Sequence, residues 1–289
     1  MIGVIGLGNM GYAIASRLCA EGCSLTVWNR TTEKADGLSG VVVAETPVEV
    51  VNSADITLCV LANDEATESV YFGDNGIVTT DLGGKVVVDM CTMAPPRARE
   101  LETAVIEQNG FFLECPVGGT VGPALEGKLL GLAGGSDDAF DKAMPILQKL
   151  TRRLEHFGEV GTGSAMKLAV NLPLMVYWSA LGEALSIAQT NNVDPEVALD
   201  VLSDSSGAIG AAKKRVPPIR NMVVNGDCGS TNFSIENAIK DMELMVATAA
   251  AHGVDAEIVS KALDRSRLAK EQGFSTLDCS LVAAFGNQQ

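Results

Sequence analysis

The stretch VIGLGNMG, residues 4–11, places three glycines in the order G-x-G-x-x-G between an apolar run and an amphipathic one. In such a strand–turn–helix context Gly6 allows a tight turn, Gly8 lets the backbone approach a pyrophosphate, and Gly11 permits close helix–strand packing. The helix that follows offers free N–H groups and the positive end of its dipole to phosphates. We therefore predict a dinucleotide-binding loop formed by Gly6, Gly8, Asn9, Met10 and Gly11.

Around this loop, short apolar runs alternate with amphipathic stretches through the first half of the chain. Near-continuous apolar strands separated by helices are typical of a parallel sheet covered on both faces. The predicted strands are Ile2–Ile5, Ser24–Trp28, Val41–Ala44, Ile56–Leu61, Lys85–Asp89, Phe111–Glu114, Leu129–Ala133 and Leu154–His156. The helices predicted between them are Met10–Glu21, Thr46–Asn52, Pro95–Asn109 and Asp137–Leu150.

After residue 158 the pattern becomes helical, and we predict no strand in this half. The predicted helices are Ser164–Gln189, one that starts at Asp194-Pro195-Glu196, Ile235–Ala251 and Ala256–Glu271. The first of these is apolar enough to suggest a membrane span, but Asn171, Pro173 and Glu183 interrupt it, which favours a buried helix at a domain junction or dimer interface. The expected fold is an α/β Rossmann-type doubly wound sheet followed by an all-α C-terminal domain joined by a long helix, with domains at 1–160 and 161–289.

Composition narrows the class of partner. The chain has 289 residues, and its hydrophobic content of 47% is typical of a folded globular protein. Its net charge of −15 argues against nucleic-acid binding, which needs clustered Lys and Arg. An anionic substrate therefore needs a local positive site. Seven cysteines without a CxxC pair and only two histidines argue against a metal site. The use of cysteine as a small apolar residue and the lack of a recognisable secretory signal predict a cytoplasmic protein. We expect no membrane association.

The end of the second predicted strand, TVWNRT, bears on the choice of nucleotide. NAD-binding domains usually carry Asp or Glu here to accept hydrogen bonds from the ribose 2′-hydroxyl. This chain has Asn29 followed by Arg30 and Thr31, and a guanidinium can pair with a 2′-phosphate that a carboxylate would repel. We predict that these residues bind NADPH in preference to NADH; the alternative is a solvated arginine in a surface turn.

Five stretches together resemble the β-hydroxyacid dehydrogenase family, which includes 3-hydroxyisobutyrate dehydrogenases and glyoxylate or succinic semialdehyde reductases. The stretches are GVIGLGNMG at 3–11, VVDMCTMAP at 87–95, ECPVGGTVGPALEGKLLGLAGG at 114–135, GEVGTGSAMKLAVN at 158–171 and KDMELMVATA at 240–249. In the family they serve cofactor binding, the floor of the nicotinamide site, substrate binding, catalysis and closure over the cofactor. The resemblance implies further cofactor contacts from Leu61, Asn63, Thr92 and Lys240.

The substrate motif departs from the family pattern. The family usually has Asp-Ala-Pro-Val-Ser-Gly-Gly where this chain has Glu114 to Thr120, so that Gly118 replaces the serine. Pro-Val-Gly-x-Thr resembles the sulfolactaldehyde reductase branch, but there x is an arginine and here it is Gly119. Glycine N–H groups and one hydroxyl can still bind a carboxylate. We therefore predict substrate contacts from Gly118, Gly119 and Thr120; the alternative is a merely flexible loop.

Reduction of a carbonyl by hydride transfer leaves negative charge on oxygen, which needs stabilisation and a proton. Lys167 can supply both, and burial would lower the pKa of its ammonium toward neutrality. Asn171 lies one helical turn later and can hold the geometry. The resemblance implies that this pair is catalytic. The alternative, favoured when Lys167 is considered in isolation, is an ordinary lysine at the start of a helix whose ammonium reaches solvent.

We expect an NADPH-dependent reductase of a small acidic aldehyde of the glyoxylate or succinic semialdehyde type. Other possibilities are a 3-hydroxyisobutyrate- or sulfolactaldehyde-type dehydrogenase, an imine reductase, or a non-catalytic NADP-binding protein. Lys167 weighs against imine reductases, which generally lack the catalytic lysine. The long apolar helix predicts a homodimer or a dimer-based homotetramer.

Overall fold

The computed structural model describes residues 1–285 and divides the chain into two compact units, Met1–Lys167 and Leu168 onward. The first unit is a sheet flanked by helices, and the described part of the second is helical. The predicted fold class, a Rossmann-type sheet followed by an all-α domain, is confirmed.

The described residues form one sheet in the first unit. Its strands are β1 (Ile2–Ile5), β2 (Leu25–Trp28), β3 (Val42–Val43), β4 (Ile56–Cys59), β5 (Val86–Asp89), β6 (Phe111–Glu114), β7 (Val117–Gly118), β8 (Leu129–Gly135) and β9 (Thr151–His156). Their order is β3-β2-β1-β4-β5-β6-β8-β7, with β9 beside β8. Because the chain winds outward from β1 to β3 and then returns to place β4 on the other side of β1, the winding direction reverses between β1 and β4. Ligands of doubly wound sheets bind at such a reversal.

Helices cover the sheet and build the second unit. They are α1 (Asn9–Ala20), α2 (Pro47–Ser53), α3 (Asp64–Phe72), α4 (Pro95–Glu107), α5 (Val121–Leu125), α6 (Asp137–Leu150), α7 (Thr162–Thr190), α8 (Pro195–Asp204), α9 (Ala212–Asn225), α10 (Ile235–Ala251) and α11 (Glu257–Glu271). Every residue of β1 and of β5 is buried, as strands covered on both faces must be. This explains why both strands read as continuous apolar runs.

The prediction of a parallel sheet is wrong at one edge. Strands β1 to β6 pair in parallel, but β8 runs antiparallel to both β6 and β7. Only residues 119–128 separate β7 from β8, which is too short for the crossover that a parallel connection needs. The chain therefore turns back on itself here, and β9 resumes the parallel pairing against β8.

Several elements were absent from the sequence prediction: β7, α3, α5 and α9. Helix α9 contains Pro217 and Pro218, which ordinarily end a helix because they lack an N–H donor and clash with the preceding turn. Helix α3 did have a start signal, since the Asn63 side chain accepts a hydrogen bond from the Ala66 N–H at 2.9 Å.

Helix α7 is 29 residues long, and by length and composition it could cross a bilayer, as core helices of soluble proteins also could. Its buried side chains include Met175, Trp178, Leu181 and Leu185, which belong to the hydrophobic core of the second unit. This packing is the arrangement expected of a buried core helix.

Asp278 organises the polar interior of the second unit. Its carboxylate is 2% exposed, pairs with Arg215, and accepts hydrogen bonds from the Asn232 N–H at 3.0 Å and the Ser280 hydroxyl at 2.7 Å. Burial by itself raises the pKa of Asp278, but the Ser280 hydroxyl and the Arg215 guanidinium outweigh it and hold that pKa below its ordinary value.

We therefore expect the protein to lose stability in acid partly through Asp278. A carboxyl whose pKa is lower in the folded state stabilises above its unfolded pKa of about 3.9, and this stabilisation disappears as pH falls through the folded value. Asp278→Asn should reduce the unfolding free energy at pH 7 by about 3 kcal/mol. It should also make the unfolding free energy fall less steeply at acidic pH, as measured by urea titrations at a series of pH values. Asp204→Asn, which removes an exposed ion pair with Lys213, is the matched control. An unchanged acid limb in Asp278→Asn would contradict the assignment.

Candidate functional site

Of the three glycines in the loop between β1 and α1, two have close backbone neighbours and one does not. Gly6 has φ of +94°, and a Cβ there would lie 2.3 Å from the Val60 carbonyl oxygen. A Cβ on Gly11 would lie 1.8 Å from the Gly6 carbonyl oxygen. A Cβ on Gly8, by contrast, would have no heavy atom of the described residues within 4 Å. Gly6 and Gly11 are therefore required by the fold itself, whereas Gly8 leaves room for a ligand.

The N-terminus of α1 is arranged to receive an anion. Gly8 occupies the position before the helix, and no side chain within residues 1–285 caps the first turn. Asn9 and Met10, predicted as cofactor contacts, open that turn. Uncapped N–H groups and the helix dipole together form the usual phosphate site of a dinucleotide-binding fold.

The Asn29 side chain connects this loop to the segment after β2. Its amide oxygen accepts a hydrogen bond from the Leu7 N–H at 2.9 Å, and its amide nitrogen donates to the Thr31 carbonyl oxygen at 2.9 Å. An aspartate could make the first of these bonds but not the second. Asn29 therefore positions Arg30 and Thr31 beside the glycine loop without adding a negative charge.

A cleft of about 350 Å³ lies at this end of the sheet. The predicted cofactor residues that line it are Gly6, Gly8, Asn29, Arg30, Thr31, Leu61 and Asn63. Arg30 is exposed and makes no ion pair within residues 1–285. The cleft thus offers a guanidinium and an uncapped helix terminus, which suit the phosphates of an anionic dinucleotide.

The sequence prediction missed one wall of the cleft. The additional lining residues are Trp28, Val60, Ala62, Glu65, Ala66, Ser69 and Val70. Four of these lie on α3, the helix absent from the prediction. Asn63 has a structural role of its own as the N-cap of α3.

Thr92, predicted at the floor of the nicotinamide site, follows a buried polar network at the end of β5. Asp89 accepts hydrogen bonds from the Tyr71 hydroxyl at 2.9 Å and from the Cys91 N–H at 2.8 Å. The Leu61 N–H in turn donates to the Cys91 sulfur at 3.1 Å. Burial raises the pKa of Asp89, and burial followed by the nearby Asp89 carboxyl raises the pKa of the Cys91 thiol well above its ordinary value. The Cys91 thiol therefore stays protonated and holds the segment that carries Leu61.

The predicted substrate residues lie where β7 meets α5. Gly118 pairs with Leu130 across the antiparallel ladder. Gly119 has φ of +132°, and a Cβ there would lie 2.8 Å from the Leu129 side chain, so this backbone requires glycine. Thr120 precedes α5, and its hydroxyl does not cap that helix.

The two predicted catalytic residues both lie on α7 and are one turn apart. Lys167 and Asn171 are each 8% exposed. Lys167 ends the first unit, and Asn171 lies in the second.

Within the second unit, Asn171 belongs to a chain of polar contacts. Its amide nitrogen donates to the Asp241 carboxylate at 3.0 Å. The Lys240 ammonium lies 3.7 Å from the other oxygen of that carboxylate. The structure therefore joins Asn171 to Lys240, a predicted cofactor residue, through the buried Asp241, which the sequence analysis did not include among its site residues.

Two family models match successive parts of the chain. A family model described as the NAD binding domain of 6-phosphogluconate dehydrogenase matches residues 1–158. A second, described as "NAD-binding of NADP-dependent 3-hydroxyisobutyrate dehydrogenase", matches residues 161–285. Glyoxylate/succinic semialdehyde reductase 2 of Arabidopsis thaliana is 32% identical over 97% of this chain and 78% of its own length.

Two bacterial proteins extend the comparison. An NAD-dependent L-serine dehydrogenase of Pseudomonas aeruginosa is 29% identical over 97% of this chain and 96% of its own length. The structure of a 3-hydroxyisobutyrate dehydrogenase of Salmonella typhimurium superimposes with a TM-score of 0.87 at 25% identity, covering 98% of this chain and 99% of that one. The chain therefore belongs to the β-hydroxyacid dehydrogenase family and is an NAD(P)-dependent oxidoreductase.

Proposed function

We propose that this hydroxyacid dehydrogenase works as an NADPH-dependent reductase of a small aldehyde that carries a carboxylate, of the glyoxylate or succinic semialdehyde type. The observation that carries the proposal is Lys167, a cationic side chain only 8% exposed, with the amide of Asn171 one turn later on the same helix. A buried lysine is costly in a core and is retained where its charge or proton is used. The similarity to a plant glyoxylate/succinic semialdehyde reductase supports this substrate class.

In this mechanism the reduced nicotinamide, when bound, supplies a hydride to the carbonyl carbon. The Lys167 ammonium polarises the carbonyl oxygen, stabilises the negative charge that develops there, and donates a proton to it. The Asn171 amide, held by Asp241, orients the reacting groups. Residues of the glycine loop and the N-terminus of α1 would hold the pyrophosphate of the cofactor.

The cofactor preference is the first part of the proposal to test. Arg30→Ala should raise KM for NADPH by about 10- to 100-fold, because a charge-assisted hydrogen bond contributes about 1.5–3 kcal/mol, and should leave KM for NADH nearly unchanged. Steady-state kinetics with both cofactors measures this. Lys34→Ala removes an exposed cation from the adjacent 3-10 helix Thr32–Ala35 and serves as the control. An unchanged preference in Arg30→Ala would defeat the NADPH assignment.

The substrate class rests on the loop of β7 and α5. Gly119 lies where the sulfolactaldehyde branch has an arginine, and its φ of +132° disfavours any side chain, so the loop lacks the cation that suits a sulfonate. Backbone N–H groups and the Thr120 hydroxyl remain, and these suit a carboxylate.

A substrate panel tests this class directly. NADPH oxidation should be measured with C2–C4 semialdehydes, 2-oxoacids, a sulfonated aldehyde and cyclic imines, and NADP⁺ reduction with L-serine and 3-hydroxyisobutyrate. We expect the highest kcat/KM with a carboxylate-bearing aldehyde. A higher value with the sulfonate, with an imine, or in the oxidative direction would replace the proposed substrate.

A further inference from the structure

Glu114, the last residue of β6, has a carboxylate that the proposed chemistry does not use. It is 1% exposed. One oxygen accepts hydrogen bonds from the Gly161 N–H at 2.6 Å and the Gly163 N–H at 2.9 Å, and the other accepts a short hydrogen bond from the Ser164 hydroxyl. All three donors lie at the start of α7. A side chain from the sheet therefore caps the helix that carries Lys167.

The neighbouring backbone is shaped for this contact. A Cβ on Gly134 of β8 would lie 2.4 Å from the Glu114 carboxylate, and a Cβ on Gly163 would lie 2.4 Å from the Leu132 carbonyl oxygen. A larger residue at position 163 would push the helix start away from the sheet, and one at position 134 would displace the Glu114 carboxylate. The two glycines and the carboxylate together set the distance between β6, β8 and the first turn of α7.

Because Glu114 is distant in sequence from α7, its contacts also tie the start of that helix to strand β6. A serine or aspartate directly before a helix achieves capping locally, as Ser136 does for α6 by accepting a hydrogen bond from the Ala139 N–H. Glu114 instead reaches across 47 residues to Gly161. Burial raises the pKa of Glu114, and hydrogen bonds led by that of the Ser164 hydroxyl oppose the rise. The favourable interaction of an anion with a helix N-terminus helps to offset that burial.

We propose that Glu114 is a positioning residue for Lys167, acting through the first turn of α7. The proposal rests on the proposed role of Lys167 as the general acid. Lys167 lies three residues after Ser164, so that a shift of the capped turn moves the base of the lysine with it. Misplacement of a reacting group by about 1 Å can cost about 100-fold in rate.

The first test uses Glu114→Gln, which keeps the size of the side chain but removes its negative charge and turns one acceptor oxygen into an amide donor. We expect kcat to fall by about 10- to 100-fold, with the dissociation constant of NADPH changed by less than about twofold. Hydrogen exchange of the Gly161 and Gly163 amides should become faster. Glu114→Asp, which restores the carboxylate, should recover part of the lost kcat.

Ser136→Ala is the matched control, because it removes the cap of another helix in the same unit. It should lower stability without changing kcat or the exchange of the Gly161 and Gly163 amides. If Glu114→Gln exposes those amides while kcat stays at the wild-type value, the positioning role is wrong. A loss of NADPH affinity in proportion to kcat would also overturn it, because the effect would then be on the cofactor site.

A double-variant comparison separates this proposal from the proposed function. If Glu114 acts through Lys167, adding Glu114→Gln to Lys167→Ala should lower kcat no further. A further loss by the full factor seen in the single variant would refute the positioning role while leaving Lys167 as the acid. Full activity of Lys167→Ala with intact Glu114 would instead refute the proposed function.

Discussion

Lys167→Ala is expected to lower kcat for aldehyde reduction by about 10²- to 10⁴-fold, the usual contribution of a positioned general acid. NADPH should still bind, since the phosphate and ribose contacts proposed for the cleft lie in the loops after β1 and β2. Pre-steady-state NADPH oxidation would measure the chemical step, and a fluorescence titration would measure cofactor binding. The alkaline limb of the pH–rate profile, which reports loss of the acid's proton, should disappear in the variant.

A second lysine of the same unit provides the control for Lys167. Lys128 is exposed and pairs with Glu126 on the surface, so Lys128→Ala should change kcat by less than about twofold. Retained turnover in Lys167→Ala would remove the lysine from the mechanism. Equal losses in both variants would point to a general effect of charge.

The second large effect concerns two glycines that serve different purposes in one loop. In Gly11→Ala the new Cβ would lie 1.8 Å from the Gly6 carbonyl oxygen, so the helix or the loop must move. We expect a loss of about 3 kcal/mol in unfolding free energy, typical of overpacking at a close backbone contact. Urea denaturation without cofactor would measure this loss.

Gly8→Ala should behave in the opposite way. Its Cβ has open space in the cofactor-free protein, so stability should change by less than about 1 kcal/mol. NADPH affinity should fall by at least about tenfold, which is about 1.4 kcal/mol, because the methyl group occupies the path of the pyrophosphate. Trp28 lines the cleft and provides a fluorescence reporter for the titration. Wild-type affinity in Gly8→Ala would mean that the pyrophosphate binds elsewhere.

Much of the architecture could be predicted from local patterns. Buried parallel strands such as β1 and β5 need apolar residues on both faces, and the glycine loop needs particular residues at particular spacings, so both leave direct traces in the sequence. Helix α9 leaves no such trace in the sequence, because Pro217 and Pro218 in its interior would ordinarily end a helix. We attribute its helical conformation to packing within the second unit. The antiparallel turn of β8 depends on connection length rather than on any single residue.

Some functional residues could likewise be predicted from the sequence, whereas the roles of others depend on the fold. Arg30 could be proposed because a cation stands where NAD-binding domains usually carry a carboxylate, whereas Lys167 was proposed from the family resemblance of its segment. Glu114 appeared in the sequence only as a departure within the substrate motif, and its role depends on donors 47 or more residues away. Asn29 was recognised because it lacks the charge of the usual carboxylate, whereas its two hydrogen bonds depend on how the loops after β1 and β2 fold together. The homodimer and the cytoplasmic location stay predictions.

Because the amide of Asn29 serves two loops at once, cofactor choice and loop geometry cannot be altered separately at this position. An aspartate, the residue that suits NADH, would place a second oxygen against the Thr31 carbonyl oxygen, where Asn29 now donates at 2.9 Å. A variant with aspartate at position 29 would therefore have to rebuild the turn after β2 as well. Exchange of Asn29 alone should disturb the loop that carries Arg30 and Thr31 and weaken the binding of both cofactors.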